Sequence, residues 1–72
     1  MKYMKQFKDG SGAFEVTKEK ARWSLEGNWK KDFLDDVFAN GKSFRLFTSF
    51  AEIWTVSDDG LVPEAGFYGV CE

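Results

Sequence analysis

The stretch FRLFTSFAEIW, residues 44–54, decides which fold the chain adopts, because its apolar residues fit two different periodicities. Read as a helix, the stretch aligns Phe44, Phe47 and Trp54 on one face, as an amphipathic helix requires. Read as a strand, it alternates between two faces with a period of two. The two interpretations lead to different folds, and the residues that follow the stretch indicate which one applies.

The following residues favour the strand. Segment 52–57, EIWTVS, is rich in β-branched and aromatic residues and runs into Asp58-Asp59-Gly60, which is typical of a tight turn between strands. On this interpretation Phe44, Leu46 and Phe50 face a helix as part of the core. The pattern leaves the burial of Phe47 and Trp54 unassigned.

The second half of the chain is therefore predicted to contain three short strands, at about 43–50, 52–57 and 67–70. A bend or bulge at Ser49–Ala51 separates the first two strands. Pro63 precedes the last one, and because proline cannot donate a ladder hydrogen bond, this indicates an edge strand or a bulge.

The middle of the chain predicts one amphipathic helix over residues 29–39. Asn28 is a favourable N-cap residue, and Asn40-Gly41 supplies a stop signal. The apolar residues recur at helical spacing and form one stripe: Trp29, Phe33, Leu34, Val37 and Phe38. An isolated helix of this length is marginal in water, so its apolar face is expected to cover a sheet.

The N-terminal segments 2–8 and 13–17 alternate polar and apolar residues and flank the glycine-rich turn 9–12, which predicts a β-hairpin. Segment 21–26, ARWSLE, also alternates, and this favours a third strand. A helix starting at Thr17 is the competing interpretation, because TKEKAR is rich in helix formers.

These elements predict a small single-domain α+β fold spanning residues 1–72. Five to six short strands form an antiparallel sheet, and one helix packs on one face of it. A chain of 72 residues is too short for two hydrophobic cores. Aromatic residues make up 18% of the chain, more than a small core needs, so self-association into a homo-oligomer or a partner interface is plausible.

Charge, cysteine content and the absence of apparent targeting segments indicate which compartment the protein occupies. The net charge is −2, but residues 1–31 carry eight Lys/Arg against four Asp/Glu, whereas the remainder is acidic. Cys71 is the single cysteine, which is read as an incidental thiol in a reducing compartment. Since no signal peptide or membrane-spanning run is apparent, we expect a cytoplasmic protein without membrane contact.

No catalytic, metal or cofactor site is predicted. The chain has no histidine and one cysteine, so the commonest general base and the usual zinc ligand sets are missing. Asp35 and Asp36 point in directions about 100° apart on a helix, so they do not converge. Asp58-Asp59 is explained by turn chemistry. We therefore expect a protein that is not an enzyme and that carries no cofactor.

The leading hypothesis is a small non-catalytic protein-binding module. Its size and composition are typical of phage-encoded or mobile-element-encoded inhibitors, including anti-defence proteins, that occlude the surface of a host enzyme or defence system. The candidate partner-binding residues combine the acidic second half with the unassigned rings: Asp32, Asp35, Asp36, Phe47, Trp54, Asp58, Asp59 and Tyr68.

Two alternatives remain open. The first is a single-stranded nucleic-acid-binding protein, because the N-terminal strand interleaves basic and aromatic residues that could follow a phosphate backbone and stack on bases. Its candidate residues are Lys2, Tyr3, Lys5, Phe7 and Lys8. The second is an oligomeric small-ligand binder with an aromatic pocket between subunits.

Overall fold

A computed structural model describes residues 1–60 of the chain. The elements in this part are two strands, two helices and two further strands. Their bounds are β1 Lys2–Phe7, β2 Phe14–Val16, α1 Lys18–Leu25, α2 Lys31–Ala39, β3 Arg45–Phe47 and β4 Ala51–Val56. The predicted strand 67–70, together with Pro63, Tyr68 and Cys71, lies outside the described residues.

The four strands form one antiparallel sheet in the order β2-β1-β4-β3. β1 pairs with β2 through the predicted N-terminal hairpin and with β4 along its whole length. β4 also pairs with β3. The N-terminal strand is therefore central. Its pairing with β4 joins two segments that are more than 40 residues apart in the sequence.

The register assigns the side chains to the two faces of the sheet. Tyr3, Lys5 and Phe7 of β1 lie opposite Thr55, Ile53 and Ala51 of β4, so these residues share one face. Both helices pack on that face, and the core forms there. The core residues are Ala21, Leu25, Leu34, Val37, Phe38, Phe44, Leu46, Ala51 and Ile53. The predicted α+β class with an antiparallel sheet is confirmed.

The predicted strand at 21–26 is wrong, because residues 21–25 belong to α1 and Glu26 is its C-cap. Thr17 is the N-cap, and its hydroxyl accepts a hydrogen bond from the Lys20 N–H at 3.2 Å. Ala21 and Leu25 are both fully buried, four residues apart on one helical face. Trp23 lies about 200° away around the helix and points to solvent. The alternation that suggested a strand is two core residues flanking an outward tryptophan.

The helix predicted over residues 29–39 is confirmed as α2, although it begins at Lys31 rather than at residue 29. Lys30 occupies the N-cap position and makes no side-chain cap bond. Asn28, the predicted N-cap, is instead buried and donates from Nδ2 to the Ser49 hydroxyl at 3.1 Å. This contact joins the α1–α2 connection to the loop between β3 and β4.

The stretch 44–54 contains two strands separated by a bend, as predicted, with β3 shorter than expected. Phe44 and Leu46 are buried against the helices, also as predicted. Phe50 is the exception, because it lies in the bend and is 74% exposed. The alternation that would have buried it stops where the chain leaves β3.

The predicted number of elements also needs correction. Of the five to six strands and one helix predicted for the chain, five strands and the helix fall within residues 1–60, where the structure has four strands and two helices. The difference arises mainly from α1, which adds a helix and removes a strand. Two helices therefore cover the sheet instead of one. A cleft remains beside α1, at the end of the sheet where β1 ends and β4 begins.

Candidate functional site

A cleft of about 590 Å³ lies beside α1, near the end of β1 and the start of β4. Its walls come from three parts of the chain: β1, the end of α1 with the connection that follows it, and the β3–β4 bend. The side chains that define its character are Lys5, Phe7, Trp23, Ser24, Glu26 and Phe50. We call this feature the aromatic cleft.

Three large rings of the aromatic cleft face solvent. Phe7 is 39% exposed, Trp23 71% and Phe50 74%. Phe14 on β2 is 41% exposed, and its ring centroid lies 5.8 Å from that of Phe7. Apart from Met1, these four are the large hydrophobic residues that residues 1–60 leave exposed. They lie at one end of the molecule instead of being scattered over its surface.

A single lysine side chain reaches into the aromatic cleft. The Lys5 ammonium donates a hydrogen bond to the Ser24 hydroxyl at 2.8 Å and lies 4.8 Å from the centre of the Phe7 ring. Lys5 is half-buried. Within residues 1–60 no carboxylate forms an ion pair with it. The cleft therefore combines apolar rings with one ammonium that lacks a counter-charge from the described chain.

The exposed position of Phe50 is fixed by local hydrogen bonds around Thr48. The Thr48 hydroxyl oxygen accepts from the backbone N–H groups of Phe50 at 3.1 Å and Ala51 at 2.9 Å. The Phe50 carbonyl accepts from the Lys8 N–H at 2.9 Å, which ties the bend to the end of β1. Both the N–H and the carbonyl of Phe50 are therefore hydrogen-bonded, which fixes the backbone that carries the exposed ring.

Hydrogen bonds join the connection between the two helices to the β3–β4 bend, and both segments line the aromatic cleft. Asn28 contacts Ser49, and the Trp29 indole N–H donates to the Phe47 carbonyl at 3.0 Å. Trp29 also stacks on Phe33 of α2, with ring centroids 5.2 Å apart. These contacts hold the helix connection against the β3–β4 bend.

The candidate acidic residues of the helix are engaged with nearby cations. Asp35 forms an ion pair with Arg22 of α1 at 2.5 Å, and Asp36 forms one with Lys42 at 2.7 Å. The bond to Lys42, helped by one from Asn40, holds the pKa of Asp36 below its usual value. Asp32 is exposed on the same helix.

The other two acidic candidates, Asp58 and Asp59, lie just after the end of β4. The N-terminal amine of Met1 pairs with Asp58 at 2.7 Å and lowers the pKa of that carboxyl. Asp59 accepts a hydrogen bond from the Ser57 hydroxyl. These residues belong to the predicted turn, and the acidic candidates of α2 and of this turn sit on separate elements.

Phe47 and Trp54, whose burial the sequence left unassigned, lie on the sheet face opposite the helices and are half-buried. An ion pair between Arg45 and Glu52, at 2.6 Å, lies on the same face. Trp54 stands opposite Met4 of β1 in the register. Neither ring contributes to the aromatic cleft, and Tyr68 lies outside the described residues.

The residues of the nucleic-acid alternative are divided between three environments. Tyr3 packs in the core, with its ring 5.7 Å from that of Phe38 and 6.1 Å from that of Phe44. Lys2 projects from the opposite face of the sheet. Lys5 and Phe7 line the aromatic cleft, and Lys8 is exposed just beyond it. The interleaved pattern therefore does not form one continuous surface.

The sequence analysis missed Trp23, Phe50 and Phe14 as candidate site residues. A helical reading of residues 18–25 would have placed Trp23 opposite the buried pair and so in solvent. No comparable signal existed for Phe50, because its exposure depends on where β3 ends.

Within residues 1–60, neither helix has the length and hydropathy to traverse a lipid bilayer. This part of the chain also lacks a cluster of three or more His, Cys, Asp or Glu side chains arranged to hold a metal ion. Comparison of the chain with protein-family models, with curated proteins and with solved structures found no match.

Proposed function

We propose that the protein is a small non-catalytic protein-binding module whose aromatic cleft covers part of a partner's surface. The observation that carries this proposal is the grouping of Phe7, Trp23 and Phe50, all solvent-exposed, around one cleft. Soluble monomers rarely expose contiguous apolar patches without a function, and such patches mark interaction sites. Aromatic residues are also the usual anchors of protein interfaces.

The cleft is suited to binding because its rings are held on ordered backbone. Trp23 belongs to a helix, Phe7 to a central strand, and Phe50 to a bend fastened by Thr48. Rings that are already positioned lose little conformational entropy on association, so more of the buried area appears as affinity. If the partner is an enzyme, coverage of its surface would inhibit it, which is the finer form of the proposal.

The nucleic-acid alternative keeps one supporting observation. Exposed rings beside Lys5 and Lys8 could stack on bases while the ammonium groups contact phosphate. The position of Lys2 on the opposite face argues against an extended phosphate track. For these reasons, a protein surface is the better fit.

The proposal is tested by affinity capture with tagged protein, with and without nuclease, followed by quantitative mass spectrometry. The variant Trp23→Ala/Phe50→Ala should lose a stoichiometric, nuclease-resistant partner. The matched variant Asp32→Lys/Asp36→Lys alters the acidic candidates and should keep that partner. Loss of the partner in the acidic variant alone would move the interface to α2. Loss of every partner on nuclease treatment would favour nucleic acid.

A further inference from the structure

We propose that the partner segment entering the aromatic cleft carries a carboxylate that binds the Lys5 ammonium, flanked by large apolar side chains that contact Trp23 and Phe50. This inference rests on the proposed function and adds the chemistry of the partner. It predicts an acidic-apolar peptide segment as the ligand of the cleft.

The first support is the incomplete bonding of Lys5. An ammonium group has three donors, and the described chain satisfies one of them through the Ser24 hydroxyl. That hydroxyl in turn donates to the Lys20 carbonyl at 2.9 Å, so its oxygen is oriented to accept from Lys5. Covering the cleft would strip water from the remaining donors at a cost unless the partner supplies acceptors. A carboxylate supplies them in charge-assisted hydrogen bonds.

The second support is the charge around the cleft. Residues 1–31, which contribute most of its walls, carry a net charge of +4. Part of that total lies elsewhere, because Lys18 and Arg22 of α1 line a separate depression with Asp35, which pairs with Arg22. Glu26 is the carboxylate that lines the cleft itself. Lys8, whose backbone N–H bonds the Phe50 carbonyl, is a second cation beside the cleft, so Lys5 and Lys8 together outnumber Glu26 and complement an acidic segment.

The third support is the number and position of the cations, which favours a protein carboxylate over a nucleic-acid backbone. One half-buried ammonium lies among three rings, and a single carboxylate between apolar side chains matches that arrangement. A single-stranded nucleic acid needs a charged groove that follows successive phosphates. Lys2 is on the other face of the sheet, so the groove would end after Lys5 and Lys8.

The test selects ligands for the full-length protein from a displayed library of random linear peptides. The enriched peptides should combine Asp or Glu with large apolar residues and should compete with one another for the cleft. Replacing the peptide's acidic residue by its amide should weaken binding about tenfold, as expected for a partly exposed charge-assisted bond. Trp23→Ala should weaken binding of both peptide versions.

A double-mutant cycle assigns the carboxylate to Lys5. Lys5→Gln should weaken the acidic peptide about tenfold, and on this variant the amide peptide should bind no worse than the acidic one. Lys5→Arg keeps the charge and should retain most of the preference for the acidic peptide. Thermal unfolding of each variant shows whether the domain remains folded. If Lys5→Gln unfolds, Lys5→Met, which also removes the charge but keeps an apolar stem, provides the same comparison.

Five results would overturn the inference, and they differ in whether the proposed function survives. Enriched apolar peptides without an acidic residue would remove the carboxylate but keep a protein-binding cleft. Acidic peptides that bind Lys5→Gln unchanged would do the same. Tighter, salt-sensitive binding of a single-stranded oligonucleotide would replace the peptide by nucleic acid. Self-association abolished by Trp23→Ala would make a second copy the occupant. Peptides unaffected by Trp23→Ala and Phe50→Ala, with an unchanged captured partner, would remove the cleft from the proposed function.

Discussion

Tyr3 and Phe7 are four residues apart on β1 and project from the same face of the sheet, yet their surroundings differ. Tyr3 lies in a cluster of rings with Phe38 and Phe44, whose centroids are 5.3 Å apart. Phe7 lies in the aromatic cleft and contacts Lys5 and Phe14. One end of the strand is covered by packed side chains, and the other is left accessible.

The difference shows that the aromatic residues of this small domain have two separate roles. At the Tyr3 end, α2 supplies Phe38 and the chain before β3 supplies Phe44, and both are buried. At the Phe7 end, α1 turns its small Ala21 and its Leu25 to the core and leaves Trp23 in solvent. The first group stabilises the fold, and the second is available for a partner.

The largest effect on stability is expected from Phe38→Ala. Removing a buried ring leaves a cavity and should lower the free energy of unfolding by about 3–5 kcal/mol. Because a domain of this size has a small stability margin, the variant should be largely unfolded at ambient temperature. Urea denaturation followed by circular dichroism measures the change. A loss under about 1 kcal/mol would show that Phe38 is not part of the core.

Trp23→Ala should produce the reverse pattern. The side chain is 71% exposed, so the free energy of unfolding should change by no more than about 0.5 kcal/mol. Partner affinity should fall by about 2 kcal/mol or more, because an aromatic anchor is removed from the interface. Calorimetric titration with the captured partner and a parallel denaturation curve measure both quantities. Equal loss of stability and binding would make Trp23 a structural residue.

Thr48→Val tests how the accessible end is held in place. The substitution keeps the shape of the side chain but leaves the backbone N–H groups of Phe50 and Ala51 without their acceptor. We expect stability to fall by about 1–3 kcal/mol. Amide hydrogen exchange should accelerate in the β3–β4 bend before it does elsewhere. Ser43→Ala, at an exposed residue before β3, is the matched control and should leave exchange in the bend unchanged.

The smallest effect is expected from the exposed acidic groups. The pKa values of Asp36 and Asp58 are lowered in the folded state by Lys42 and by the N-terminal amine, respectively. Their stabilising contribution is therefore present above the ordinary value of 3.8 and is lost as the pH falls below it. Asp36→Asn should flatten the pH dependence of unfolding in this acidic range.

A control separates that effect from a general loss of negative charge. Asp32 forms no ion pair among residues 1–60, so Asp32→Asn should leave more of the acidic-range slope in place. Urea denaturation at a series of pH values compares the two variants at equal net charge. Identical curves would show that the Asp36–Lys42 pair does not contribute to stability, as is common for exposed ion pairs.

Much of the architecture was predictable from the sequence because the signals are local. Glycines with positive φ at Gly10 and Gly60 mark the turns that the sequence indicated. The alternation of β1 and the apolar stripe of α2 each extend over enough residues to identify one period. The burial of Phe44 and Leu46 followed from the same reasoning.

The candidate site was not predictable in the same way. In ARWSLE the spacing of Ala21, Trp23 and Leu25 fits a strand face, but the outer two also fit a helix face, and the segment is too short to decide. The exposure of Phe50 depends on where β3 ends, and the pairing of β3 with β4 stops at Phe47, three residues before Phe50.

The sequence by itself determined the α+β class, the N-terminal hairpin, the position of α2 and the turn after β4, since each depends on neighbouring residues. The tertiary structure alone decided that α1 is a helix, that Trp23 and Phe50 face solvent, and that Lys5 lies between them. The physical reason is that long-range pairing and helix docking select among local conformations of similar free energy, and they also set which rings the core has room to bury.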